Sequence, residues 1–179
     1  ITYCQRIAAI LLLPAIIAIV ALMMKKDHQE PLIAYNEVTA PYGMVSSLTL
    51  PDSSKVWLNA GSTLKYPAAF TSNVREVEMS GEAYFEVHAD KEHPFIVNTG
   101  DLKVTATGTA FNICSFAKAQ EEVITLVTGK VAVSQENNIK HLLPGQQLNY
   151  QRASKSMEIT DIDTYKYISW KDGILAFRD

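Results

Sequence analysis

Three sets of residues in this chain have types and spacings that invite chemistry. The first is Gly108-Thr109, set in the stretch Leu102 to Ile113 (Leu-Lys-Val-Thr-Ala-Thr-Gly-Thr-Ala-Phe-Asn-Ile), which reads as strand, break, strand. A glycine at the break suits a turn or bulge, because it lacks the Cβ that limits φ where a strand bends. The sharper reading is a junction that can react, and the residues alone leave both open. The second set is the carboxylates Glu76, Glu78, Glu82 and Glu86. Paired acids suggest hydrolysis, which needs two carboxyls about 5 to 10 Å apart across a cleft, but outward neighbours on a strand meet that spacing by accident. A solvated face is the simpler reading. The third set is the histidines, His28, His88, His93 and His141, which are scattered. Glu86 and His88 could offer two ligands on one face, yet no third ligand stands at a metal-binding spacing. Nucleophile-elbow, phosphate-loop and dinucleotide motifs are absent. No catalytic, cofactor or metal site is expected on a bound substrate.

The elements that would hold these residues come from the patterning. With 179 residues the length predicts one domain plus accessory segments. Lys and Arg total 16 against 19 Asp and Glu, a net charge of -3, so no basic footprint for nucleic acid is present. Cys4 and Cys114 are far apart in sequence and are not expected to pair. The chain begins on Ile1, and Trp170 to Asp179 ends within a patterned stretch, so a piece of a longer protein is expected.

From Ile7 to Met24 there is no charged or polar side chain. As a helix this run would cover roughly 27 Å, close to the hydrocarbon thickness of a bilayer. The reading is a transmembrane helix within residues 1–24. Pro14 is tolerated in lipid, and Val20-Ala-Leu-Met-Met-Lys-Lys offers no signal-peptide cleavage site. Arg6 on one side and Lys25 and Lys26 on the other would, counted naively, place the C-terminal side in the cytoplasm. Residues 25–44 are polar, proline-containing and aperiodic, and read as a linker.

From Val45 the period changes to two. Short strands are expected between turn formers such as Pro51-Asp-Ser-Ser, Ala60-Gly, Gly81, Gly100-Asp, Thr128-Gly, Glu136-Asn-Asn and Pro144-Gly. In Arg75 to Ser80, Val77 and Met79 point inward and Glu76 and Glu78 outward. After a turn at Gly81, Ala83, Phe85 and Val87 take the inner face. The fold class predicted is all-β, an antiparallel-rich sandwich or a solenoid-like domain, over residues 45–164.

Ordered motifs then carry a resemblance. Leu48-Thr-Leu-Pro-Asp-Ser-Ser-Lys-Val-Trp-Leu-Asn-Ala-Gly-Ser-Thr-Leu-Lys-Tyr-Pro, Val77-Glu-Met-Ser-Gly-Glu-Ala-Tyr-Phe-Glu-Val, Pro94-Phe-Ile-Val-Asn-Thr, Val104-Thr-Ala-Thr-Gly-Thr-Ala-Phe-Asn-Ile, Val127-Thr-Gly-Lys-Val-Ala-Val and Leu143-Pro-Gly-Gln-Gln-Leu follow one another over residues 45–150. Together they resemble the FecR family of transmembrane anti-sigma regulators. Trp170-Lys-Asp-Gly-Ile-Leu-Ala-Phe looks like the family's junction into a C-terminal receptor-facing domain, so 165–179 is expected to begin a truncated one. Ser53-Ser54 stands where the family commonly has Asp-Gly, a departure that touches the turn type.

The resemblance implies a single-pass inner-membrane protein whose β domain faces the periplasm, against the naive lysine count. Its implied partners are the signalling domain of a TonB-dependent outer-membrane receptor and, through a missing N-terminal domain, an extracytoplasmic-function sigma factor. Uptake of iron or glycans is the implied context. It also implies that the Gly108–Thr109 bond could break spontaneously by an acyl shift to the Thr109 hydroxyl followed by hydrolysis. A purely structural glycine and threonine stay in play. Two other classes compete for function. One is a membrane-tethered carbohydrate-binding sandwich, which would present Trp57, Tyr66 or Tyr84 to solvent; the other is a cupin-like enzyme, for which the histidine pair is missing.

Overall fold

The computed structural model describes residues 34–174. Alternating apolar residues build thirteen strands among them: β1 (Tyr35–Thr39), β2 (Ser46–Thr49), β3 (Lys55–Leu58), β4 (Thr63–Pro67), β5 (Arg75–Glu86), β6 (Phe95–Asn98), β7 (Lys103–Ala106), β8 (Ala110–Ser115), β9 (Glu121–Thr128), β10 (Val131–Gln135), β11 (Asn138–Leu142), β12 (Gln146–Gln151) and β13 (Ser156–Asp161). A short helix, α1 (Tyr165–Ile168), and a 3-10 turn (Ser169–Asp172) follow. The domain is all-β, as the period-two patterning requires. The apolar run 7–24 lies outside the described residues, and within them no helix is long and apolar enough to cross a membrane.

Two expectations are corrected. Residues 35–39, taken as part of the linker 25–44, form β1, which pairs antiparallel with β4 from Tyr35↔Pro67 to Thr39↔Thr63. The sheet therefore starts about ten residues earlier. Gly81 is not a turn between two strands, since β5 runs through it unbroken. Its inner positions, Arg75, Val77, Met79, Gly81, Ala83 and Phe85, keep one alternation throughout.

The strands form one sheet whose two halves share β5. The first half runs β1-β4-β5-β6-β7-β10-β11. The second runs β2-β3-β5-β8-β9-β12-β13. Only β5 and β6 pair in parallel; the other ladders are antiparallel, which does not fit the parallel stacking of a solenoid. From β6 onward, hairpins alternate between halves: β6–β7, then β8–β9 opposite, then β10–β11, then β12–β13. Each lies one step further from β5 than the previous hairpin in its own half.

For the halves to enclose a core, β5 has to bend sharply. A straight strand of its length would hold its ends roughly 36 Å apart. Instead the guanidinium of Arg75, at its start, donates to the carbonyl of His88, just past its end, at 3.1 Å. Gly81 makes the bend, with φ +107 and Ser62 pressed against it: a Cβ there would lie 2.6 Å from Ser62 Cβ and 2.7 Å from Ser62 Cα. Before the bend β5 pairs with β4 and β6; after it, with β3 and β8.

Side chains from both halves fill one core. Phe85 of the second half meets Phe95 of the first at 6.1 Å and stacks on Phe111 at 5.2 Å. Leu58, Leu64, Val97, Val104, Ile113, Ile124, Leu126, Val133 and Leu148 are fully buried around them. At about 25 cal/mol per Å² of apolar surface removed from water, each such side chain contributes on the order of 2 kcal/mol.

Two ion pairs, each with a buried member, tie connections around this core. Arg75 donates to Asp52 Oδ2 (2.6 Å) and to the carbonyls of His93 (2.8 Å) and His88, which ties the 87–94 connection to the β2–β3 turn. In that turn Ser53 N–H donates to the Leu50 carbonyl (3.0 Å), and Ser53 itself takes φ +70, a position where glycine is more at ease. Thr99 Oγ1, between β6 and β7 of the first half, donates across to Glu122 Oε2 on β9 (2.6 Å), and Arg152, within the second half, donates to Glu122 Oε1 (3.2 Å).

Candidate functional site

Gly108 and Thr109 lie in the three-residue connection by which the chain leaves β7 in the first half and enters β8 in the second. Gly108 has φ +131, and a Cβ there would sit 2.9 Å from Ala89 Cβ and 3.0 Å from Ala89 Cα. The Thr109 carbonyl accepts from Val87 N–H at 2.9 Å. On the other side, Gly129 lies so close that a Cβ on it would meet Thr109 Cγ2 at 2.6 Å and the Gly108 carbonyl oxygen at 2.8 Å. The β8–β9 register skips between Ala110↔Thr128 and Phe111↔Leu126, a bulge one residue beyond the pair. The junction is thus closely approached by Val87, Ala89 and Gly129.

Another side is open. A surface cavity of about 420 Å³ is lined by Gly108, Thr109 and Ala110 together with Ser53, Lys55, Glu86 and His88. Thr109 is 5 % exposed, and its hydroxyl is buried without a hydrogen-bond partner. A hydroxyl left so costs about 1–3 kcal/mol, which makes it exceptional. Chemically the arrangement offers a nucleophile adjacent to a carbonyl in a short, tightly packed connection, with a lysine, a carboxylate and an imidazole lining the cavity beside it.

The other predicted residues disperse. Glu76 and Glu78 are exposed and face Lys103 (3.9 Å) and Lys65 (3.3 Å). Glu82 is pinned, accepting from Asn59 Nδ2 (2.7 Å) and Asn112 Nδ2 (3.0 Å). Glu86 and His88 do share a face, at the cavity rim. His93 pairs with Asp90 at 2.8 Å, which holds the Asp90 carboxyl below its usual range. His141 lies exposed on β11, and His28 is outside the described residues. Among the described residues no group of three His, Cys, Asp or Glu could hold a metal ion.

The aromatic platform expected of a carbohydrate module is not formed. Tyr84 is 4 % exposed, Tyr66 packs against the core from β4 in the other half, and Lys171 covers Trp57. Burial, with Glu86 and Asp172 nearby, pushes the Tyr84 hydroxyl up to about 12.

Sequence reasoning missed the buried charges, although parity marked them. Arg75 stands in phase with Val77 and Met79, and Glu122 with Ile124 and Leu126, so each was an inward position carrying a charge. Burial raises the Glu122 carboxyl above its ordinary range, against the pull of Thr99, Ser115 and Arg152.

The bent, shared-strand β body is similar to that of known proteins. The family described as FecR protein matches residues 36–132, more than half of the chain, and the chain belongs to it. Two crystal structures of a candidate anti-sigma factor from Parabacteroides distasonis are similar. One has a TM-score of 0.76 at 34% identity, covering 78% of this chain and 66% of that chain. The other has a TM-score of 0.75 at 35% identity, covering 77% and 65%. The chain therefore spans just under two thirds of the length of these relatives. No curated protein matches it.

Proposed function

We propose that the chain is the relay portion of a transmembrane anti-sigma regulator. Residues 7–24 anchor it in the inner membrane, and the β body stands in the periplasm. It passes a signal from a TonB-dependent outer-membrane receptor to an extracytoplasmic-function sigma factor that the full-length protein binds. The observation that carries this reading is the 34% identity, over 78% of the chain, with the candidate anti-sigma factor, beside membership of the FecR family. The test is paired. A cysteine at exposed Lys91 is expected to react with a membrane-impermeant maleimide once the outer membrane alone is permeabilised. The full-length protein is expected to change transcription from a promoter read by the sigma factor that co-purifies with it. Labelling only after the inner membrane is opened, or a promoter indifferent to the protein, refutes the reading.

The Gly108–Thr109 junction supplies a reaction within that function, supported by the buried, unpartnered Thr109 hydroxyl beside an open cavity. Thr109 Oγ attacks the Gly108 carbonyl carbon, the C–N bond breaks, and the Thr109 nitrogen takes up the proton released by the hydroxyl, leaving an ester and a free α-amine. Water then hydrolyses the ester to a Gly108 carboxylate and restores the Thr109 hydroxyl beside a free α-amine. The pieces would stay together, because β8 remains paired with β5 and β10 with β7 across the cut. On a denaturing gel the wild type is expected to run as two bands and Thr109→Ala as one. A wild type that runs intact removes the reaction and leaves the relay untouched.

A further inference from the structure

The outer face of the second sheet half carries a row of register partners, Trp57 on β3, Tyr84 on β5 and Asn112 on β8. The rings of Trp57 and Tyr84 meet edge to face at 5.7 Å. Above them lies Lys171, from the 3-10 turn, with Nζ 5.6 Å from the Trp57 centroid and 5.3 Å from that of Tyr84. Its side chain is 17 % exposed and its ammonium contacts Asp172 at 2.9 Å. A cation held over two aromatic rings and largely removed from water is a specific seat for a lysine.

Around that seat residues 165–174 are thinly buried, with Tyr167, Ile168 and Trp170 half-buried. α1 has no buried residue, and in the 3-10 turn only Ser169 is buried. Tyr165 and Ile174 are 52 % and 46 % exposed. The core and the hydrophobics packed against it end at Ile159, so no side chain of this segment belongs to that core. The seat is also imperfectly matched: Trp170 Nε1 is buried without a hydrogen-bond partner, and so is Oδ1 of Asn112, next to Tyr84 in the ladder. A contact that combines one good cation–aromatic seat with unpartnered polar atoms lies near balance.

We propose that residues 165–174 form a detachable strap, held on the β body by Lys171 in the Trp57–Tyr84 cradle and able to leave it without unfolding the sheet. The strap exposes the cradle when it lifts. Because Tyr84 sits on β5, the strand common to both halves, the seat joins whatever follows Ile174 to the spine of the domain. This device does not depend on cleavage at Gly108–Thr109.

The test is amide hydrogen exchange on the full chain carrying Lys171→Met, which keeps the apolar stem and removes the charge. Amides of 165–174 are expected to exchange about tenfold faster, as loss of one desolvated cation–aromatic pair implies, with β2 to β13 unchanged. Lys171→Arg, still a cation, is expected to retain wild-type protection. With Trp170→Phe as background, Trp57 is the sole tryptophan, and its emission is expected to shift to the red when Lys171→Met is added. Unchanged strap exchange in Lys171→Met overturns the proposal, because the lysine would not be what holds the strap. Faster exchange throughout the sheet, or failure of the variant to fold, overturns it too, because the segment would then be part of the core.

Discussion

Gly81 and Gly108 both take the chain from one half of the sheet to the other, both have positive φ, and both are pressed by a neighbour too close for a side chain. They differ in what surrounds them. At Gly81 the crossing is inside a continuous strand, and Ser62, which presses on it, also accepts the Glu82 N–H at 2.7 Å, so the polar groups there are matched. At Gly108 the crossing is a short connection, the neighbour is the small Ala89, and a buried hydroxyl has been left without a partner beside an open cavity. One device thus appears as a sealed joint and as an unsealed one. Unusual backbone by itself marks architecture; a glycine crossing beside an unsatisfied nucleophile marks a place where something can happen.

Substitutions that separate the two joints test this contrast. Gly81→Ala is expected to be the most damaging, about 4 kcal/mol by denaturant titration, because the positive φ and the Ser62 backbone both oppose a Cβ. Gly108→Ala should lose less, about 2–3 kcal/mol, and Ala89→Gly in the same chain should recover part of it, since the nearest obstacle is a methyl group. Equal losses at the two sites, with no recovery, would erase the distinction. Thr109→Val keeps the shape and deletes the unpartnered hydroxyl, so it is expected to stabilise the chain by about 1 kcal/mol. Destabilisation instead would mean that the hydroxyl is satisfied and the joint sealed. Smallest is a pH effect from the matched interior. The Glu122 carboxyl is raised by burial, so the folded state holds its proton more tightly than the unfolded chain does. Its contribution to stability is then fully present below the ordinary glutamate range and declines as pH rises above it. Urea midpoints across that range should show the decline in wild type and not in Glu122→Gln.

Much of this was legible in the residues. The hairpin ends were marked by glycine, proline and asparagine, and the inner rows Val77–Met79 and Ala83–Phe85–Val87 were assigned to the right face. Gly81 was misread because glycine commonly punctuates a strand, although the odd-numbered alternation continued through it and already argued for one strand. β1 was invisible for another reason: as an edge strand it has four of its five residues exposed, so no alternation is imprinted on it. At the candidate site the pair was legible from composition, but its surroundings were not. Ala89, Gly129 and Val87 approach it from distant parts of the chain, and only the folded sheet brings them together.

The alternating hairpins carry a consequence for how the molecule is made. Beyond β5 the order of addition in space follows the order of synthesis, so each new hairpin docks on an edge that already exists and caps it against stray pairing. A chain that emerges residue by residue could therefore assemble outward from its bent spine, left and right in turn, without waiting for its last residues.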